Sequence, residues 1–195
     1  MADGRVVTGF SYPYVALYAE EGGTVSYSNG MALARGVSVS LSVEASSDNN
    51  FYANNQVSET LAGVFSSGTA TLTVDGLKDA ARQLIFGLPA ASDGWTAFGD
   101  AQHIPYVGIG WIVRYMEEGA TTYVPYVLTK ALFQNPALSA ATQEAEIAWQ
   151  TSELTANIYR DDSSAHNWQY IGAAETTETA ALAAMRAKLG IVTSG

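Results

Sequence analysis

Between Ile104 and Phe133, apolar and aromatic side chains occupy both faces of a two-residue repeat. The outgoing arm sets Val107, Ile109, Trp111, Val113 and Tyr115 against Tyr106, Gly108, Gly110, Ile112, Arg114 and Met116. Glu117-Glu118-Gly119-Ala120 reads as a turn. Thr121, Tyr123, Pro125, Val127, Thr129, Ala131 and Phe133 then alternate with Thr122, Val124, Tyr126, Leu128, Lys130 and Leu132. Successive side chains of a strand point to opposite faces, so this is a β-hairpin that is greasy on both sides. Arms of about a dozen residues would reach about 40 Å, longer than most strands. Both faces need cover. One is expected to pack on the chain's own core. Part of the other, with Tyr106, Gly108, Gly110 and Tyr126, is expected to meet a second copy. Pro125 lacks an amide donor, so pairing on that arm's outer side should be interrupted there.

The same patterning places further elements. Tyr12 to Tyr18 reads as a strand, Gly22-Gly23 as a turn and Val25 to Tyr27 as a short return strand. Val37 to Val43 has apolar residues at every odd position and serine at every even one, the mark of a half-buried antiparallel strand. Serine on the outer face, where Lys or Glu is usual, points to a neighbour approaching Ser38, Ser40 and Ser42. Gly68 to Val74 is another strand and runs into a helix, with Asp75 as its N-cap and Leu77, Ala80, Ala81, Leu84, Ile85 and Leu88 at helical spacing. Gly87 and Pro89 end it, and Ala90 to Gln102 reads as a loop. Glu144 to Gln150, Leu154 to Arg160 and His166 to Ile171 are three further expected strands. Thr176 or Thr177 caps a C-terminal helix that Gly190 closes.

The segment from Ala45 to Gly63 is polar, with four asparagines and the pair Phe51-Tyr52. Long ordered loops usually carry function. The expectation is a protruding arm in which Phe51, Tyr52, Asn54 and Asn55 dock on a partner. The fold class that follows is α+β, mostly antiparallel β, a sandwich or barrel-like sheet with one flanking helix and a C-terminal helix. No internal repeat or linker divides it, so residues 1–195 form a single expected domain with an arm at 45–63.

Charge changes this picture. Charged residues make up only 14% of the chain, well below the roughly 25% of an ordinary soluble domain. Small polar groups take their place, and such a surface suits interfaces better than free solvent. Nineteen acidic residues against nine basic ones leave a formal charge of −10, which argues against attraction to a phosphate backbone. The chain has no cysteine, hence no disulfide or thiolate chemistry. Its N-terminus, Met-Ala-Asp-Gly-Arg, lacks the apolar core of a signal peptide, and no apolar run is long enough to span a membrane. The expected setting is therefore a cytosol-like compartment, with no membrane partner.

Catalytic chemistry has little to stand on. His103 and His166 fall in no metal-binding spacing, and Asp48-Asn49-Asn50 lacks the glycine and distal glutamate of a calcium loop. Gly108-Ile109-Gly110 is not followed by the helix that a nucleotide site needs. The acidic pairs Glu20-Glu21, Glu117-Glu118 and Asp161-Asp162 all fall at turns, where solvated charge is ordinary. No catalytic residue, cofactor or metal is expected, and the chain is read as a non-enzyme.

The order of these elements resembles the major tail proteins of long-tailed bacteriophages, the subunits of the tail tube. The resemblance runs from about Val37 to Gly190. It is carried by Phe51-Tyr52-Ala53-Asn54-Asn55-Gln56-Val57-Ser58-Glu59, then by Gly68-Thr69-Ala70-Thr71-Leu72-Thr73-Val74-Asp75-Gly76-Leu77. It continues in Val107-Gly108-Ile109-Gly110-Trp111-Ile112-Val113-Arg114 and Lys130-Ala131-Leu132-Phe133, and ends with Trp168 and an alanine-rich helix. The resemblance implies a structural virion protein whose six-membered rings stack into a tube, with the arm reaching a neighbouring ring. The partners implied are other copies of the chain, the tape-measure and other tail proteins, and double-stranded DNA that passes without specific binding. Six copies at −10 would carry −60 per ring, and an acidic lumen would let DNA slide. The implied location is the virion tail, with assembly in the host cytoplasm. Two other readings compete: a ring-forming head–tail joining or tail-terminator protein, and a carbohydrate- or receptor-binding β-sandwich that uses exposed Trp and Tyr.

Overall fold

The computed structural model describes residues 4–138, 140–142 and 149–191. Ten strands and two helices occur among them. They are β1 (Val6–Glu21), β2 (Thr24–Ala32), β3 (Gly36–Ala45), β4 (Asn49–Ala53), β5 (Gln56–Leu61) and β6 (Phe65–Val74), then α1 (Asp79–Phe86). β7 (Val107–Glu117), β8 (Ala120–Phe133), β9 (Ser152–Tyr159), β10 (Gln169–Ile171) and α2 (Glu178–Lys188) complete the order. The chain is α+β, dominated by antiparallel strands, with one flanking and one C-terminal helix, as the patterning predicts.

The two-faced hairpin is β7 and β8, paired from Glu117↔Ala120 down to Val107↔Ala131. Glu118 and Gly119 both have positive φ, 47° and 80°, the two-residue turn whose twist matches that of the strands. Glycine suits the second position because it enters this region without steric cost. The main sheet runs β2-β1-β7-β8-β9-β6-β3. β8 serves two neighbours along one edge: Tyr126–Leu128 pair with β10, and Lys130–Phe133 pair with β9. The sheet divides at this point and folds over. β3 thereby comes against β1, where Phe10 lies so close to Gly36 that a side chain there would collide with its ring.

The odd-numbered face of β7 (Val107, Ile109, Trp111, Val113) lies in the core between the layers, with Leu72, Leu128, Phe133, Leu154 and Ile158. Fully burying a side chain such as Ile109 or Leu128 contributes about 1.5–3 kcal/mol. α1 closes this core with Ala81, Ile85 and Phe86, and Phe86 meets Phe133 edge-on at 6.4 Å. The helix starts later than its sequence suggests, after Lys78. Asp75 does not cap it, because its carboxylate accepts the Arg35 backbone N–H at 2.9 Å and the Arg35 Nε–H at 2.5 Å.

The even-numbered face of β7 also finds its cover within the chain. α2 lies across it, and Met185 and Leu189 join Tyr14, Ala16 and Val127 in a second core. A Cβ on Gly108 would sit 2.5 Å from the Tyr27 ring, and one on Gly110 would sit 2.8 Å from Met185 Cγ. The two glycines let this chain's own helix and Tyr27 come close. The expectation that they face a second copy is corrected. Thr177 caps α2 by accepting the Ala180 N–H at 3.2 Å, and Gly190 follows its end with φ at 62°.

Other boundaries shift as well. β1 begins at Val6, and Tyr12 sits at a bulge with φ at 52°. The final strand is confined to Gln169–Ile171, because His166, at φ 49°, belongs to the preceding turn. The strand expected over Glu144 to Gln150 lies outside the described residues except for Trp149 and Gln150, which belong to no strand. No helix among the described residues is long and apolar enough to cross a membrane.

Candidate functional site

β3 and β2 end the main sheet on its two sides, so among the described residues each has one edge without a strand partner. Natural edge strands are usually blunted by lysine, proline, bulges or shortness. β3 spans ten residues with neither lysine nor proline, Glu44 is its only charge, and its register shifts fall near its ends, at Gly36–Ser38 and Glu44–Ala45. β2 spans nine residues with no charged side chain; a single bulge lies between Ser28 and Met31. Val39 and Leu41 of β3 are half-buried against the core, while Ser38, Ser40 and Ser42 are exposed.

The segment from Ala45 to Gly63 is a second hairpin, β4 with β5, and not an irregular loop. Asn54 and Asn55 form its two-residue turn with φ of 50° and 61°, a conformation that asparagine tolerates better than other non-glycine residues. Among the described residues the hairpin pairs with no other strand. Both faces are open to solvent: Phe51 is 64% exposed, Tyr52 62% and Leu61 73%. Among the described residues this arm carries the densest run of exposed large apolar side chains on regular structure.

The remaining candidates separate. Tyr106 is partly exposed, and its ring meets Tyr159 edge-on at 5.6 Å. Tyr126 turns inward, stacks on Trp111 at 6.0 Å and shares a 2.7 Å hydrogen bond with the Tyr115 hydroxyl. Burial pushes its hydroxyl up to about 12, and the Tyr115 bond adds to the effect. Tyr126 is therefore tied, partly buried, into this chain's own packing. Pro125 has no N–H to give, but its carbonyl accepts the Gly172 N–H at 2.8 Å just past the end of β10, and a Tyr123↔Glu175 bridge lies beyond it.

A polar corner joins β1, β8 and the turn after β9. Lys130 Nζ lies 2.6 Å from Asp162 Oδ2 and over the rings of Tyr106 and Tyr18, at 4.5 and 5.2 Å. Tyr18 donates to the same carboxylate oxygen at 2.8 Å. The Lys130 bond, and then the Tyr18 bond, hold Asp162 below the usual carboxylate range. Burial raises the Tyr18 hydroxyl to about 12. Next to it Asp161, 3% exposed, accepts from Ser163 Oγ at 2.6 Å and from the Asn167 N–H at 3.0 Å. This corner is a structural lock.

The cations are largely committed inside the chain. Arg35, Arg82 and Lys130 are ion-paired, Arg5, Arg186 and Lys188 lie over tyrosine rings, and Arg114 and Arg160 bond backbone carbonyls. The carboxylates at the hairpin tips, Glu20-Glu21 and Glu117-Glu118, are exposed. Among the described residues no group of three or more His, Asp or Glu is arranged to hold a metal.

The most exposed aromatic positions, Trp95 and Trp149, were not singled out by sequence pattern. Trp95, 81% exposed, follows the tight Asp93-Gly94 turn, and Trp149 is 86% exposed. The Asp-Gly pair ahead of Trp95 was the available signal. Of the tryptophans expected on strands, Trp111 lies on β7 and is buried, and Trp168 falls just before β10 and stacks on Phe65. No protein-family model matches the sequence, and no curated protein matches it either.

Proposed function

We propose that this chain is a structural, self-assembling protein of the tail-tube kind, whose copies close into rings through their sheet edges and stack through the β4–β5 arm. The observation that carries the reading is the β3 edge: ten residues long, serine-faced and nearly uncharged, without lysine or proline and regularly paired from Ser38 to Glu44. A free edge of that kind in a monomer invites uncontrolled aggregation, whereas a closed ring consumes it. The unpaired β2 edge offers the complementary side, since a heterologous contact between two different edges closes when the rotation allows. The hexameric number, the acidic lumen conducting DNA, and the tape-measure and other tail partners follow from the resemblance and belong to this proposal.

The test is negative-stain electron microscopy with sedimentation of the purified chain, beside Ser40→Lys. Rings and tubes are expected from the parent protein. Ser40→Lys should stay folded and lose them, because it puts a charge on the face beside the free edge. A parent chain that remains monomeric at high concentration overturns the proposal, and rings that never stack would favour a joining or terminator protein.

A further inference from the structure

Among the described residues the arm pairs with no third strand, and an isolated two-stranded hairpin is marginally stable in water. Its order and direction must come from its root. There the Ser46 N–H donates to the Val64 carbonyl at 2.8 Å, and Ser46 Oγ accepts the Val64 N–H at 3.1 Å. Asp48 Oδ1 accepts the Gly63 N–H at 2.8 Å. The Ser46 carbonyl lies so close to Gly63 that no Cβ fits between the two legs.

One step beyond, residues remote in sequence seize the returning leg. Phe65 lies face to face with Trp168, ring centroids 4.8 Å apart and planes 9° from parallel. The Arg160 guanidinium donates to the Phe65 carbonyl. Trp168 is itself held, since its carbonyl accepts the Thr129 N–H of β8 at 3.1 Å. The neighbouring Asn167 carbonyl accepts from Thr129 Oγ1 at 2.7 Å. The arm root is thus tied through one stacked pair to the strand at which the sheet divides.

We propose that Trp168 and Arg160, both outside the arm, are its positioning residues. They clamp Phe65 and, with Gly63, give β4 and β5 one direction in the free subunit. Phe51 and Tyr52 then meet their target with the ordering already accomplished, which strengthens a contact without adding to it. The target being a second copy rests on the assembly reading above; the clamp is a property of the single chain.

Amide hydrogen exchange on the dilute, unassembled protein tests the clamp. An aromatic stack of this geometry shifts a local opening equilibrium roughly two- to tenfold. Trp168→Ala should speed exchange across residues 49–61 by that factor while β6 and β9 keep their protection, and Trp168→Phe, which retains a flat ring, should restore it. A purely structural Trp168 would loosen β6 and β9 together with the arm. Should Trp168→Ala not fold, Gly63→Ala forces the root apart directly and reads the same amides. Arm exchange that is unchanged in these variants, or that already runs at the unfolded rate in the parent, overturns the clamp. A parent chain that keeps a protected arm yet never assembles defeats the assembly reading and leaves the clamp standing. Tubes forming from Trp168→Ala at the parent's concentration, with the arm loosened, overturn the clamp's part in assembly.

Discussion

Gly110 of β7 lies directly beneath Met185 of α2, so close that a Cβ on the glycine would fall 2.8 Å from Met185 Cγ and 2.9 Å from Leu189 Cδ1. The strand and the helix meet there backbone to side chain. Gly110→Val should therefore destabilise the subunit by about 1–3 kcal/mol, the usual cost of forcing extra methylenes into a filled core. For a chain of this size that lowers the melting temperature by about 2–4 °C per kcal/mol, readable by calorimetry. An unchanged melting temperature would mean that α2 does not rest on β7.

That contact also marks how far the sequence could be read. The alternation from Val107 to Val113 located the strand, its core face and its turn, because a period of two is a local signal. It could not say what covers the other face. The filler is α2, more than sixty residues later, whose stripe of Met185 and Leu189 is too narrow to name its seat. Two glycines on a strand are equally compatible with a partner subunit and with the chain's own helix. The Asp75 helix cap failed for a related reason. Arg35 is forty residues away in sequence, and only the β3–β6 pairing brings it to that carboxylate.

Asp161 is the one fully sequestered carboxylate among the described residues, and its oxygens hold the turn that follows β9. Asp161→Ala leaves the Ser163 hydroxyl and the Asn167 amide without their acceptor. Hydrogen bonds to charged groups contribute about 1.5–3 kcal/mol, so a loss of that order is expected in urea denaturation. The midpoint should fall with an unchanged slope.

Asp162 gives the fold a signature in acid. Its carboxyl is held below the ordinary value by Lys130 and Tyr18, so the folded state favours the ionised form. The stabilisation is fully present above the unfolded carboxylate value of about 3.9 and is lost as pH falls through the lower folded value. Asp162→Asn should therefore be less stable than the parent at neutral pH, with the gap closing as the solution is acidified below pH ~4. The side chain is 46% exposed, so solvent screening keeps the gap small. A gap that widens on acidification would reverse the assigned sign.

Phe51 and Tyr52 separate folding from assembly. Each is more than 60% exposed and neither takes part in a core cluster, so the monomer gains little from them. Replacing both with alanine should leave the melting temperature nearly unchanged, since surface substitutions of this kind usually stay within about 0.5 kcal/mol. At an interface the same two rings would count among the residue types that dominate binding energy, where truncating a well-packed aromatic costs about 2 kcal/mol or more. Two such losses raise the concentration needed for stacking by about a hundredfold or more, even allowing for non-additivity. On the proposed assembly, ring closure uses the β2 and β3 edges and should persist. The expected micrograph of Phe51→Ala/Tyr52→Ala therefore shows single rings where the parent shows tubes. Normal tubes would remove the arm from the contact, and loss of rings together with tubes would place Phe51 and Tyr52 within the ring itself.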